Sequence, residues 1–310
     1  VFTQAERVAA GLSVGPRIHS TGFVLYGALG NYNAETADPE AAKRHVQRLK
    51  SLGATSVKVY QQSRRDQRQW YIAACNELGM LCTAEGGGDI WMNLGMVADG
   101  MHAVEHALPR APLYEDVKAY FAASSQAKDS WGSAYTQTLN VAYGGMSGQE
   151  WYWQHMHPFA DGSREQARML RHYPRRLLDQ KAWRRGVVLQ DGDWNHMQVA
   201  RDAADMMRRG VLTTLGAHGE LQGLGVHWEL WSMAGPGAMS PTEALFSATQ
   251  HGARYLGMEG DIGSIEQGKL ADFVVLNSDP RDDIHNSSDI AFVVTNGRVW
   301  DDGAAQAVVE

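Results

Sequence analysis

Apolar positions along this chain switch repeatedly between a period of two and a helical period. Thr55-Ser56-Val57-Lys58-Val59-Tyr60 alternates like a half-buried strand, and residues 16–22, 80–84, 103–107, 134–142 and 211–215 carry similar short β-type runs. Helical stretches lie between them. Residues 2–10 read as the end of a helix stopped by Gly11. A second helix opens at Asp38-Pro39-Glu40, with Asp38 as N-cap and Pro39 in the first turn, and runs to Leu52 before Gly53. Residues 67–78 end at Gly79, residues 93–99 and 114–123 form shorter helices, and residues 196–209 stop at Gly210. Residues 241–255 follow a capping box made by Ser240 and Glu243. Such alternation predicts a parallel sheet of βα units. About six units are present, recurring early on every ~20–27 residues, as a βα barrel requires. From Gly260 onward β-type runs with turn residues take over. Residues 1–257 are therefore expected to form the barrel, and 258–310 part of a small β-domain.

One stretch breaks the rhythm. Residues 144–193 form a long polar and aromatic excursion with Trp151, Tyr152, Trp153, His155 and His157. Inside a barrel such a stretch is expected to serve as an active-site lid or an oligomer contact. Its basic residues between 164 and 185 alternate with Met169, Leu170, Leu177 and Leu178, which reads as a solvated helix face. The net charge of −7 argues against nucleic acid as a partner. Cys75 and Cys82 have neither metal-binding spacing nor the density of a disulfide framework, so buried free thiols are expected. No apolar run reaches the ~18 residues of a membrane span, and no signal-peptide pattern is present. The chain begins at Val1, which suggests a processed product with an upstream segment.

In a βα barrel, functional groups project from the C-terminal ends of the strands. Those ends carry Lys58, Glu85, His106 and His218, with Tyr143 after the 134–142 run. Each also has a plainer reading: a snorkelling or paired Lys, a turn carboxylate before Gly86-Gly87-Gly88-Asp89, a hydrogen-bonded core His. His102 precedes His106 by four residues, but the local pattern is a strand, so His102 is expected to be structural. His227 and Glu229 are expected in a loop after the last barrel strand, where they would line a substrate pocket.

The segment from Gly260-Asp261-Ile262-Gly263-Ser264-Ile265-Glu266-Gln267-Gly268-Lys269-Leu270-Ala271-Asp272-Phe273-Val274-Val275-Leu276 to Val293-Val294-Thr295-Asn296-Gly297-Arg298-Val299-Trp300 closely resembles the C-terminal signature of the amidohydrolase superfamily. The resemblance implies an α/β fold: a TIM-type (β/α)8 barrel with a small β-sandwich side domain. Here the barrel is incomplete at its N-terminus (strands 3–8 present) and the side domain is represented by its C-terminal part. It also implies stations for metal ligands. Lys58 matches the fourth-strand Lys, often carboxylated by CO2 to a carbamate, and His106 matches the sixth-strand His. Two stations depart from the pattern: Glu85 stands where a His is expected, and His218 where an Asp is expected. The first-strand HxH pair is absent. Thr83-Ala84-Glu85-Gly86-Gly87-Gly88-Asp89 and Leu215-Gly216-Ala217-His218-Gly219-Glu220-Leu221-Gln222-Gly223-Leu224-Gly225 resemble a branch in which the amidohydrolase module follows a β-propeller in secreted or periplasmic proteins.

By this resemblance Lys58, Glu85, His106 and His218 are expected metal ligands for one or two divalent ions, zinc first, manganese or iron next. Carboxylate and imidazole are interchangeable enough as ligands to make this workable. His218 is also the expected general base. Tyr143 is the expected donor to a substrate oxyanion, and Asp272 is expected to cap a turn in the β-domain. The implied reaction is hydrolysis of an amide or related C–N bond in a peptide-like substrate such as a dipeptide. The alternative, motivated by the altered stations, is a non-catalytic barrel used for binding or assembly. A barrel lacking two strands exposes open sheet edges, so an upstream polypeptide is expected to supply them. A homo-oligomer is expected from the Trp-rich excursion, and a periplasmic or secreted location from the propeller-linked relatives.

Overall fold

The computed structural model describes residues 1–28, 33–126, 132–142, 148–155, 170–171, 173–182, 189–219, 221–301 and 307–309. They fall into two compact units, Val1–Glu105 with Tyr120–Ala134, and His106–Ala119 with Tyr135–Glu310. The division differs from the one expected at residue 257: the C-terminal β-domain belongs to the second unit.

Four parallel strands build the first unit: β1 (Leu25–Tyr26), β2 (Ser56–Tyr60), β3 (Leu81–Glu85) and β4 (Ala103–Glu105), neighbours in chain order. The register sets Tyr26 against Tyr60, Lys58 against Thr83, and Glu85 against Glu105. Side chains alternate between faces, and registered partners share one. One face therefore carries Tyr26, Lys58, Tyr60, Thr83, Glu85 and Glu105. The other carries Val57, Val59, Cys82, Ala84 and Val104, all buried.

Helices α1 (Phe2–Ala9), α2 (Pro39–Ser51), α3 (Arg65–Leu78) and α4 (Ile90–Ala98) complete that unit. Asp38 caps α2 by accepting from the Ala41 N–H at 2.7 Å, and Pro39 opens the helix, as its sequence requires. α3 buries Arg68, Tyr71, Ile72 and Cys75, the spacing of one helical face. It closes on Gly79 in the left-handed conformation (φ +63°). Cys75 and Cys82 are buried free thiols, as expected. Residues 16–22 do not form the expected strand. Pro16 brings no N–H, the stretch is tied by the Thr55 N–H to the Ser20 carbonyl at 3.0 Å, and pairing starts only at Leu25.

In the second unit β5 (Ala134–Thr136) pairs in parallel with β6 (Thr213–Thr214) through Tyr135 and Thr136. The 134–142 run is not one strand. Thr138 turns left-handed (φ +45°) and Leu139–Val141 coil into a 3-10 turn. The cause lies far along the chain: the Glu229 carboxylate accepts from the Leu139 and Asn140 N–H groups at 2.7 and 2.9 Å. α5 (Glu115–Ser125), α6 (Gly148–His155), α7 (Arg175–Ala182), α8 (Asn195–Arg208), α9 (Leu224–Met233), α10 (Pro241–Phe246) and α11 (Gly252–Tyr255) follow, and the Ser240–Glu243 capping box is present. A π-helical turn, Ser247–His251, joins α10 to α11. From it Ser247 Oγ and His251 Nδ1 both donate to the Thr213 carbonyl, at 2.8 and 2.9 Å, fixing β6.

The described part of the aromatic excursion contributes core. Tyr152 stacks on Trp228 with ring centroids 5.0 Å apart, Trp153 meets Trp228 edge-on at 5.7 Å, and all three are buried. The small sheet is antiparallel, ordered β10 (Ala307–Val309), β9 (Arg298–Asp301), β8 (Ile290–Thr295), β7 (Phe273–Leu276). Asn296 and Gly297 turn the β8–β9 hairpin, both with positive φ. Asp272 accepts from the Asn296 N–H at 2.7 Å, the structural role expected of it.

Candidate active site

In the first unit the register decides which polar groups meet. Lys58 Nζ lies 2.9 Å from Glu85 Oε2, with both side chains largely buried. The same ammonium sits 5.8 Å from the centre of the Tyr60 ring, which packs against Tyr26 at 4.8 Å. The Tyr60 hydroxyl bonds to Glu85; burial first, and the carboxylate next, hold that phenol above its ordinary value. One strand over, Thr83 Oγ1 donates to Glu105 Oε1 at 2.6 Å. Lys58 and Glu85 are thus brought together, in a setting that also contains Tyr60 and Glu105. Period-two alternation carried the signal for both, since Tyr60 is two residues from Lys58 and Glu105 ends a strand as Glu85 does.

In the second unit the backbone decides. His106, directly after β4, has φ +71°, and His218, after β6, has φ +55°. Non-glycine residues are uncommon there, and such strain concentrates at functional sites. The two rings are in edge-on contact with centroids 4.9 Å apart; His106 is buried and His218 is open to solvent. Gly216 lets the chain approach β5: a Cβ there would come within 2.5 Å of both Thr136 and Thr138. Thr138 is left-handed as well, so each strand end of this unit leads into a strained residue.

The remaining expected site residues have other settings. Tyr143 lies outside the described residues. His227 and Glu229 sit not in a loop but on α9. The Gly residues at 223 and 225 suggested a loop, yet the apolar residues that follow pack as a helix. His227 Nδ1 is 3.0 Å from Ser287 Oγ, and burial drops its imidazole to about 4. Glu229 is fully buried, burial pushes its carboxyl up to about 8, and its oxygens are taken by the two backbone N–H groups of the 3-10 turn. It holds the end of β5 in shape. His102 is buried and accepts from the Cys82 N–H at 2.7 Å through Nδ1, the structural role expected of it.

Chemically, the first unit offers a carboxylate already matched with an ammonium, and the second two imidazoles in contact. Among the described residues no group of three or more His, Cys, Asp or Glu side chains forms a metal-binding cluster. The His106–His218 pair still fits a divalent ion by donor type. Lys58 is a different matter: as an ammonium it donates to Glu85, and it has to leave that carboxylate before it can take up CO2.

A model of the amidohydrolase family matches residues 193–300. The chain belongs to the amidohydrolase superfamily. Among curated relatives of this amidohydrolase, an imidazolonepropionase of Symbiobacterium thermophilum is 50% identical over 40 residues, 13% of this chain and 9% of the relative, so the match spans about a tenth of that protein's length. Among solved structures, a Xaa-Pro dipeptidase with bound methionine in its active site has a TM-score of 0.67 at 17% identity, covering 96% of this chain and 71% of that one. Ochratoxinase of A. niger has a TM-score of 0.65 at 16% identity, with coverage of 97% and 69%. Phenylurea hydrolase B has a TM-score of 0.65 at 18% identity, with coverage of 100% and 74%. Likeness at this level of identity establishes the fold, a TIM-type barrel.

Proposed function

We propose that this amidohydrolase is a hydrolase of an amide or related C–N bond in a peptide-like substrate, dependent on a divalent metal. The observation that carries the proposal is the pair of left-handed histidines, His106 and His218, held ring to ring after two strand ends. Strain is retained where the surrounding fold imposes it, and barrel chemistry sits at strand C-termini. His106, buried, would hold the ion. His218, open to solvent, would accept the proton of the attacking water and return it to the leaving amine, so that the C–N bond breaks as the new C–O bond is completed. When bound, the ion supplies Lewis acidity toward the carbonyl and a lowered pKa for the water. Lys58 and Glu85 would act as one ion-paired unit, with Glu85 freed for ligation only when Lys58 turns away or takes up CO2.

The test is hydrolysis of a dipeptide panel by the whole chain, before and after chelation. Activity that disappears with chelator and returns with zinc or manganese is the expected result. Hydrolysis that persists in chelator would sink the mechanism. A second reading, a binding barrel without catalysis, is favoured by one observation: the Lys58 ammonium already neutralises Glu85. Full activity loss in His218→Ala with His106-dependent metal retention would count against it.

A further inference from the structure

Six residues beyond Glu85, the loop leaving β3 presents Trp91 to solvent at 78% exposure. An indole is among the most costly groups to leave in water, and this one is not on a slack segment. The Asn93 side chain grips Gly87 from both sides: it accepts from the Gly87 N–H and donates to the Gly87 carbonyl, each at 2.9 Å, and Asn93 is itself fully buried. Asp89 caps α4 by accepting from the Trp91 N–H at 2.9 Å. Gly87 stands so close to Met92 that a Cβ would come within 2.9 Å of the Met92 methyl. The loop is therefore pinned at both ends, and its fixed product is an unburied tryptophan one turn of chain from a strand-end carboxylate. Loops at the C-terminal ends of barrel strands are where substrates are read.

We propose that Trp91 is a specificity-determining residue that receives an apolar, preferentially aromatic, side chain of the substrate. The inference rests on the hydrolase reading above and names the substrate class within it. Placement next to Glu85, rather than exposure alone, selects substrate over a protein partner as the occupant. Because the loop is locked by Asn93 and Asp89, the indole contributes through contact and not through loop ordering.

The experiment uses the whole chain, Trp91→Ala and Trp91→Phe, with glycyl-L-phenylalanine and glycyl-L-alanine as probes. The quantity read is the preference, the ratio of kcat/KM for the two dipeptides. Trp91→Ala is expected to lower that ratio by about tenfold, chiefly through KM, and Trp91→Phe to restore most of it. Equal loss on both probes, or an unchanged ratio, overturns the inference. So does a Trp91→Ala chain that keeps its ratio and loses self-association in sedimentation, which would assign the residue to a contact between copies. If the wild-type chain hydrolyses neither probe, the hydrolase reading falls separately. The inference is then decided by calorimetric binding: tighter binding of glycyl-L-phenylalanine that Trp91→Ala abolishes upholds it, and no difference overturns it.

Discussion

The ion pair of Lys58 with Glu85 and the ring pair of His106 with His218 are two ways of presenting polar groups at strand ends. The first is made by regular structure. Both side chains leave an unbroken parallel ladder, their faces follow from alternation, and their charges cancel at 2.9 Å. The second is made by irregular structure. Both histidines stand just where the ladder stops, on left-handed backbone, and neither owes its position to a charge. The ladder places groups at little conformational cost but binds them to each other. The strained turns cost about 1–2 kcal/mol per residue and deliver imidazoles that regular strands would turn aside. The pair that costs the fold more is the better candidate for chemistry.

The largest effect should come from breaking the ring pair. His218→Ala is expected to reduce kcat/KM by about 10²–10⁴-fold, and His106→Ala to lower bound metal per chain as well, read by elemental analysis of natively purified protein. Loss of activity with metal content intact in His106→Ala would reverse the roles given to the two histidines.

Next is the support of the strained side. Glu229→Ala leaves the Leu139 and Asn140 N–H groups buried without acceptors and is expected to destabilise the protein by about 2–5 kcal/mol, read by urea denaturation. Its pH dependence has a fixed sign. Burial raises this carboxyl from 4.5 to about 8, so the folded chain keeps a proton that the unfolded chain gives up between those values. Its contribution should therefore decline as pH rises through that window, and Glu229→Ala should flatten the slope.

The ladder side should respond less. Lys58→Met strands Glu85 beside Tyr60 and is expected to cost about 1–3 kcal/mol, with Lys58→Met/Glu85→Met recovering part of it. Simple additivity in that cycle would mean that the two residues do not act as a unit. The smallest effect has the opposite sign: His218→Gly relieves a left-handed residue and is expected to raise stability by about 0.5–1 kcal/mol while activity is lost. A drop in stability would show that the strain at His218 is already compensated by its surroundings.

This contrast also explains what the sequence could reveal. Lys58, Glu85 and the caps at Asp38 and Ser240 were legible because each depends on spacing within a few residues. The end of β5 was not, because the acceptor that curls Leu139 and Asn140 is Glu229, about 90 residues later. The same distance hid the role of Glu229, which read as a pocket residue while its partners were unknown. Residues 16–22 failed as a strand for a local reason, the missing N–H of Pro16, which a run of β-type side chains concealed. Tyr60 and Glu105 were passed over although alternation placed them on the face of Lys58 and Glu85; a charged or phenolic residue two positions from a candidate deserved the same reading.

The Asn93 clamp has a consequence for how this chain can change over generations. Because the amide of one buried asparagine sets the shape of the β3–α4 loop, the residues displayed outside it are released from any duty to the fold. Position 91 can then drift through side chains of any size with little penalty in foldedness, so new preferences can be sampled one substitution at a time. The clamp makes that loop an evolvable cassette, with Asn93 as its conserved fastening and position 91 as its variable face.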